Sequence, residues 1–96
     1  MTLALTLRPR AEADLDAAFR WYEAQQRGLG EIFLRSVAAC FARIARHPEG
    51  NAIVQSRVRR ASLQRFPYGV FYVVREHRID VLAVYHGRRR PREFEP

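Results

Sequence analysis

The stretch that decides the fold is RVRRASLQRFPYGVFYVVREHRIDVLAVYHGRRRP, from Arg57 to Pro91. Within it, Val70-Phe71-Tyr72-Val73-Val74 and Ile79-Asp80-Val81-Leu82-Ala83-Val84-Tyr85 are rich in β-branched and aromatic residues and read as strands. Pro67-Tyr68-Gly69 and Glu76-His77-Arg78 are short enough to be hairpin connections. The segment from Ile53 to Phe66 carries scattered β-formers and supplies the strand before them. Three consecutive antiparallel strands therefore form a meander.

Working outward, the loop Pro48-Glu49-Gly50-Asn51 separates this meander from two helical patterns. Phe33, Val37, Cys40, Phe41 and Ile44 recur at helical spacing and predict a helix from about Glu31 to Arg46, with Arg43 and Arg46 suited to its C-terminal dipole. His47-Pro48 stops it. Before it, Ala11, Leu15, Ala18, Phe19 and Tyr22 form one apolar stripe, entered through Pro9 at the first helical turn. Glu12, Asp14 and Asp16 lie off that stripe, where acids favour a helix N-terminus. Gly28 and Gly30 end the first helix and open the second, making an αα-hairpin. Trp21 falls off the main stripe; packing against the second helix is expected of it, with exposure to a partner as the alternative. At the start, Leu3, Leu5 and Leu7 alternate with Ala4 and Thr6 as in a half-buried strand. The expected architecture is α+β: a strand, a helical hairpin, then a three-stranded antiparallel meander, with the hairpin on one face of an antiparallel-rich sheet.

Ninety-six residues with 48% hydrophobic composition make one domain, residues 1–96, with a thin core. No apolar run approaches the roughly 20 residues that span a bilayer. MTLALTLRPR lacks the basic region and apolar length of a signal peptide, so a cytoplasmic location without membrane contact is expected. The lone Cys40 cannot form an intrachain disulfide, and its place in an apolar helical stripe predicts a buried thiol.

All 17 basic residues are arginine, against 10 acids, for a formal net charge of +7. No step in this protein can use lysine as acid, base or nucleophile. Such a charge attracts polyanions or acidic protein segments. His47, His77 and His86 with one cysteine show no metal-ligand spacing, and there is no P-loop or dinucleotide fingerprint, so no metal or cofactor is expected.

The Arg57–Pro91 stretch resembles the ParE/RelE toxin superfamily, particularly its ParE-like plasmid-stabilisation branch. The resemblance rests on arginines in a strand (Arg60, Arg65), the turn Phe66-Pro67-Tyr68, two apolar strands, and the ending His86-Gly87-Arg88-Arg89-Arg90-Pro91. Trp21-Tyr22-Glu23 closing the first helix and His47-Pro48 closing the second extend it over nearly the whole chain. It implies the RelE/ParE-like β-α-α-β-β-β fold and the toxin of a type II toxin–antitoxin pair. The implied partner is a cognate antitoxin that binds operator DNA, so this chain meets DNA only indirectly. ParE-like members inhibit DNA gyrase; RelE-like members cut mRNA on the ribosome.

Three functions stay open at this point: a gyrase inhibitor, a ribosome-dependent mRNA endoribonuclease, and a non-toxic member that acts only in complex formation and operator autoregulation. For a nuclease, Glu49, Arg65 and His86 are the residue types related enzymes use, with Arg88 or Arg89 on phosphate. His86 equally suits a structural hydrogen bond at a sheet edge. For a binding protein, Arg57, Arg59, Arg60 and Arg65 on one strand and Arg88, Arg89 and Arg90 after another are expected to merge into one basic face. Tyr68, Tyr72 and Tyr85 would interleave with it and His86 would stand at its end, suited to target or antitoxin.

Overall fold

The computed structural model describes residues 2–87. Its elements are β1 (Ala4–Leu7), α1 (Pro9–Gln25), α2 (Leu29–Arg46), β2 (Ile53–Gln55), β3 (Val58–Ser62), β4 (Tyr68–Val74) and β5 (Arg78–His86). One sheet takes them in the order β1-β5-β4-β3-β2. β1 and β2 are thus opposite edges, and the helical hairpin that joins them crosses the width of the sheet. The strands then return as a meander that ends beside β1, where β1 and β5 pair in parallel. The expected β-α-α-β-β-β order holds, with one strand added. Residues 53–66 contain a short hairpin, β2 and β3, turned at Ser56 with φ 54°. A positive φ at serine has no glycine or asparagine to announce it.

β4 is the middle of the molecule, with Val70, Phe71 and Tyr72 all fully buried. Alternation along it divides the core in two. Val70 and Tyr72 join Phe33, Val37, Cys40 and Ile44 beneath the helices. Phe71 and Val73 join Val58 and Ala83 in a second cluster that contains no helix residue. β5 changes register between its partners Phe71 and Tyr72, so Val81 and Ala83 face neighbouring β4 residues and Leu82 is the extra one. That bulge lets Val81 and Val84 both lie in the helix-side core.

Two acids of α1 close gaps that the elements leave. β1 ends at Leu7, opposite Val81, and the Val84 N–H beyond it donates to Asp14 Oδ2 at 2.9 Å. Glu23 accepts from the Gly28 and Gly30 N–H groups, each at 3.0 Å, and so caps the first turn of α2 from the other helix. Gly30 leaves space for the Phe19 ring, 2.8 Å from where a Cβ would sit. Tyr22 stacks on Phe33 at 5.2 Å, and Phe66 meets both edge-on. Trp21, against expectation, is 57% exposed and touches Tyr22 edge-on. Its position one residue from Tyr22 turns it out of the interhelical seam.

Among the described residues, Asp80 is the buried charged side chain, 2% exposed on β5. Arg78 Nε donates to it at 2.8 Å and Arg75 Nε at 3.0 Å, across the β4–β5 turn. The Arg78 hydrogen bond, with that of Arg75, holds its carboxyl below the ordinary range against the opposing effect of burial. A carboxylate lowered on folding stabilises the native state above its unfolded pKa, about 3.9, and loses that contribution as pH falls through the folded value. Urea unfolding of Asp80→Asn should therefore show a lower midpoint than wild type at pH 7. The gap should narrow at about pH 3, below the unfolded value. An equal gap at both pH values would reject this role for the ionised carboxylate.

Candidate functional site

The turn between β3 and β4 and the end of β5 meet at one end of the sheet. Leu63 N–H donates to the Tyr68 carbonyl at 3.0 Å, closing a hairpin in which Arg65 takes φ 77°. Gly87, at φ 76°, donates to the Pro67 carbonyl at 2.6 Å, which ties the end of β5 to this turn. Between them opens a cleft of ≈ 600 Å³, with Leu63, Phe66, Pro67 and Tyr68 as its apolar wall and Arg60 and Ser62 as its polar one. Tyr68 pairs with His86 across the sheet, their rings edge-on at 5.2 Å. Burial, reinforced by neighbouring Tyr22, pushes the Tyr68 phenol above its usual range, so it stays protonated. His86 is exposed.

Among the described residues, Arg59 and Arg60 do not share a face. Arg59 and Arg60 are consecutive on β3 and therefore point to opposite sides of the sheet. Arg59 pairs with Tyr72 on the helix side, and its Nη1 donates to the carbonyls of Asn51 at 2.6 Å and Glu49 at 3.3 Å. Arg60 pairs with Phe71 and lies over its ring, 5.8 Å from the centroid. Arg57 is exposed beside the β2–β3 turn. Arg65 lines a second cleft, of ≈ 400 Å³, with Arg35, Ser36 and Ile32 of α2. Arg88, Arg89 and Arg90 lie outside the described residues.

Tyr72 is not a surface residue. It is fully buried, donates to the Pro48 carbonyl at 2.7 Å and accepts from Asn51 Nδ2 at 3.1 Å. Burial raises its phenol pKa, which keeps it a donor. A tyrosine of a strand buried on both faces has its hydroxyl engaged by the loop after α2, and none is left for a partner.

No contact among the described residues joins Glu49, Arg65 and His86. Glu49 belongs to the loop that Tyr72 holds, whereas His86 packs on Tyr68, four residues away on β4. Four strand residues span about 13 Å. Among the described residues, no group of histidines, cysteines and acids can hold a metal ion. No helix there is long and apolar enough to cross a membrane.

Three comparisons agree with this architecture. Residues 5–91 match the family model described as ParE toxin of type II toxin–antitoxin system, parDE. The chain is 32% identical over 96 residues to Toxin ParE2 of two Mycobacterium tuberculosis strains, covering 99% of this chain and 91% of the relative. A solved structure from the chromosomal ParDE TA system of P. aeruginosa superposes with a TM-score of 0.80. It covers 91% of this chain and 98% of that one at 19% identity, a likeness of fold.

Replacing Tyr72 by phenylalanine separates structure from recognition. The change leaves the Pro48 carbonyl and the Asn51 amide short of a partner. Chemical denaturation should show a loss of about 1–2 kcal/mol. Affinity for a partner should stay unchanged, and a weakened complex would return Tyr72 to the binding surface.

Proposed function

This chain belongs to the ParE toxin family of type II toxin–antitoxin systems, and from that premise we propose that it inhibits DNA gyrase by binding, without chemistry of its own. As a toxin of such a pair, its partner is an antitoxin. The observation that carries the gyrase reading is the separation of Glu49 from His86. Cleavage of RNA by its 2′-hydroxyl needs a base and an acid on the two sides of one phosphate. The β4 residues that these two regions pack against, Tyr72 and Tyr68, lie about 13 Å apart along the strand, which argues against both groups serving one phosphate. No lysine is present to replace either. Arginine, charged at every physiological pH, is a poor proton carrier but a strong partner for carboxylates and phosphates.

The surface suits a protein partner. Arg35 and Arg65 stand around an α2 cleft that also contains Ile32, 39% exposed, and Ala39. Exposed apolar groups rimmed by arginine fit an acidic, amphipathic segment of the antitoxin. Such a segment covers charge while it buries apolar area.

Two measurements test the reading. Purified toxin should block DNA supercoiling by gyrase at micromolar concentration; gyrase left untouched means that the target is wrong. If cells expressing the toxin instead show mRNA cleavage that His86→Ala abolishes, the protein is a nuclease. For the antitoxin complex, affinity should fall as salt is raised, because exposed ion pairs are screened. Salt-independent binding would rule out an electrostatic interface.

A further inference from the structure

Arg60 joins three stretches that lie far apart in the sequence. It starts on β3, yet its Nη2 donates to the carbonyl of Gly87, past the end of β5, at 2.8 Å. β4 lies between these strands, so the side chain must cross it. It does so at Gly69, a buried position where a Cβ would collide with the guanidinium, 2.7 Å from Nη2. Nη1 meanwhile donates to Ser62 Oγ at 2.8 Å, and the guanidinium packs over the Phe71 ring. Glycine inside a strand marks close approach by another group, and here that group is an arginine of the neighbouring strand.

Gly87 is consequently held by both of its backbone groups. Its N–H goes to the Pro67 carbonyl and its carbonyl receives Arg60. The residue sits in the left-handed region with no neighbour within 4 Å of a would-be Cβ, so no side chain fixes it. The sequence continues from Gly87 directly into Arg88, Arg89 and Arg90. We infer that Arg60 is a positioning residue: by clamping Gly87 through the gap at Gly69, it fixes the point from which the arginine run begins, and target engagement depends on that point. Arg60 acts through Gly87 without touching the target. The dependence on target engagement rests on the toxin acting by binding; the clamp itself does not.

The full-length toxin and its Arg60→Ala, Gly69→Ala and doubly substituted forms provide the test. Amide hydrogen exchange measured by NMR reads the clamp at Gly87. Each single variant should speed Gly87 exchange by about tenfold, the scale of one charge-assisted hydrogen bond. Exchange at Val74 and Ile79, paired at the far end of β4 and β5, should not move. The double variant should be no faster than Arg60→Ala, because the added methyl acts only by displacing the arginine. Both single variants should also lose growth arrest and gyrase inhibition.

Unchanged Gly87 exchange in the variants overturns the clamp, and loss of inhibition beside it would mean that Arg60 meets the target directly. Faster exchange at Gly87 with toxicity retained overturns the positioning role. Faster exchange throughout, with a lowered unfolding temperature, would reduce Arg60 to a stabilising residue. Should Arg60→Ala fail to fold, Gly69→Ala carries the test with the arginine still in the chain. If wild-type toxin arrests growth without inhibiting gyrase, the gyrase reading alone fails, and growth arrest still decides the positioning role. A wild-type chain without effect on growth overturns that role.

Discussion

The structure depends on one constraint: β4 is buried on both faces. Val70 and Tyr72 need a cover on one side and Phe71 on the other, and the chain supplies two unlike covers. On one side the helical hairpin crosses from the β1 edge to the β2 edge and brings Phe33, Val37, Cys40 and Ile44 onto the strand. On the other, Phe71 lies beneath an arginine, whose aliphatic stem and planar head can cover an aromatic ring while reaching polar partners. Burying a large side chain of this kind contributes about 1.5–3 kcal/mol each, which a chain of this size cannot forgo. Gly69 follows from the same constraint, since the arginine needs a way across the strand.

Polar residues are used where these covers stop. β1 is shorter than β5, so a backbone N–H of β5 extends past it, and Asp14 of α1 accepts it. The turn into α2 leaves N–H groups exposed, and Glu23 takes two of them. The loop after α2 has carbonyls facing β3 and β4; Arg59 and Tyr72 donate to these. Each is a side chain completing a backbone ladder from outside its own element, the arrangement expected where unpaired buried backbone groups are costly. Trp21-Tyr22-Glu23 shows how neighbouring residues divide such work. Tyr22 enters the aromatic core, Glu23 caps the other helix, and Trp21 faces solvent.

What the sequence made legible, and what it hid, follows the range of the physics involved. β4, β5 and both helices are written in apolar periodicity, a local signal, and their order is right. β2 was hidden because it has only three residues and turns at a serine. Trp21 was misplaced because a helix stripe is wide and the facing helix was unknown. The opposite facing of Arg59 and Arg60 is legible in advance, since alternation alone sends consecutive strand residues to opposite sides. The separation of Glu49 from His86 is not, because it depends on which β4 residue each loop packs against. The purpose of Gly69 was likewise out of reach, for its neighbour is a side chain of another strand.

The net charge of +7 also takes a new meaning once partners are assigned. The acids are not spread evenly over the arginines: Asp80 engages Arg75 and Arg78, Asp14 engages Arg10, and Asp16 engages Arg20. These pairs sit on α1 and at the β4–β5 turn, so positive charge is offset there. Arg59 is directed at backbone carbonyls, which carry no net charge to cancel it. Among the described residues, Arg35 and Arg65 beside the α2 cleft take part in none of these pairs. Guanidinium groups not engaged by acids steer an approaching acidic surface before contact forms. On the antitoxin interface proposed above, that steering favours the α2 cleft, and acids far from the cleft contribute by neutralising other arginines.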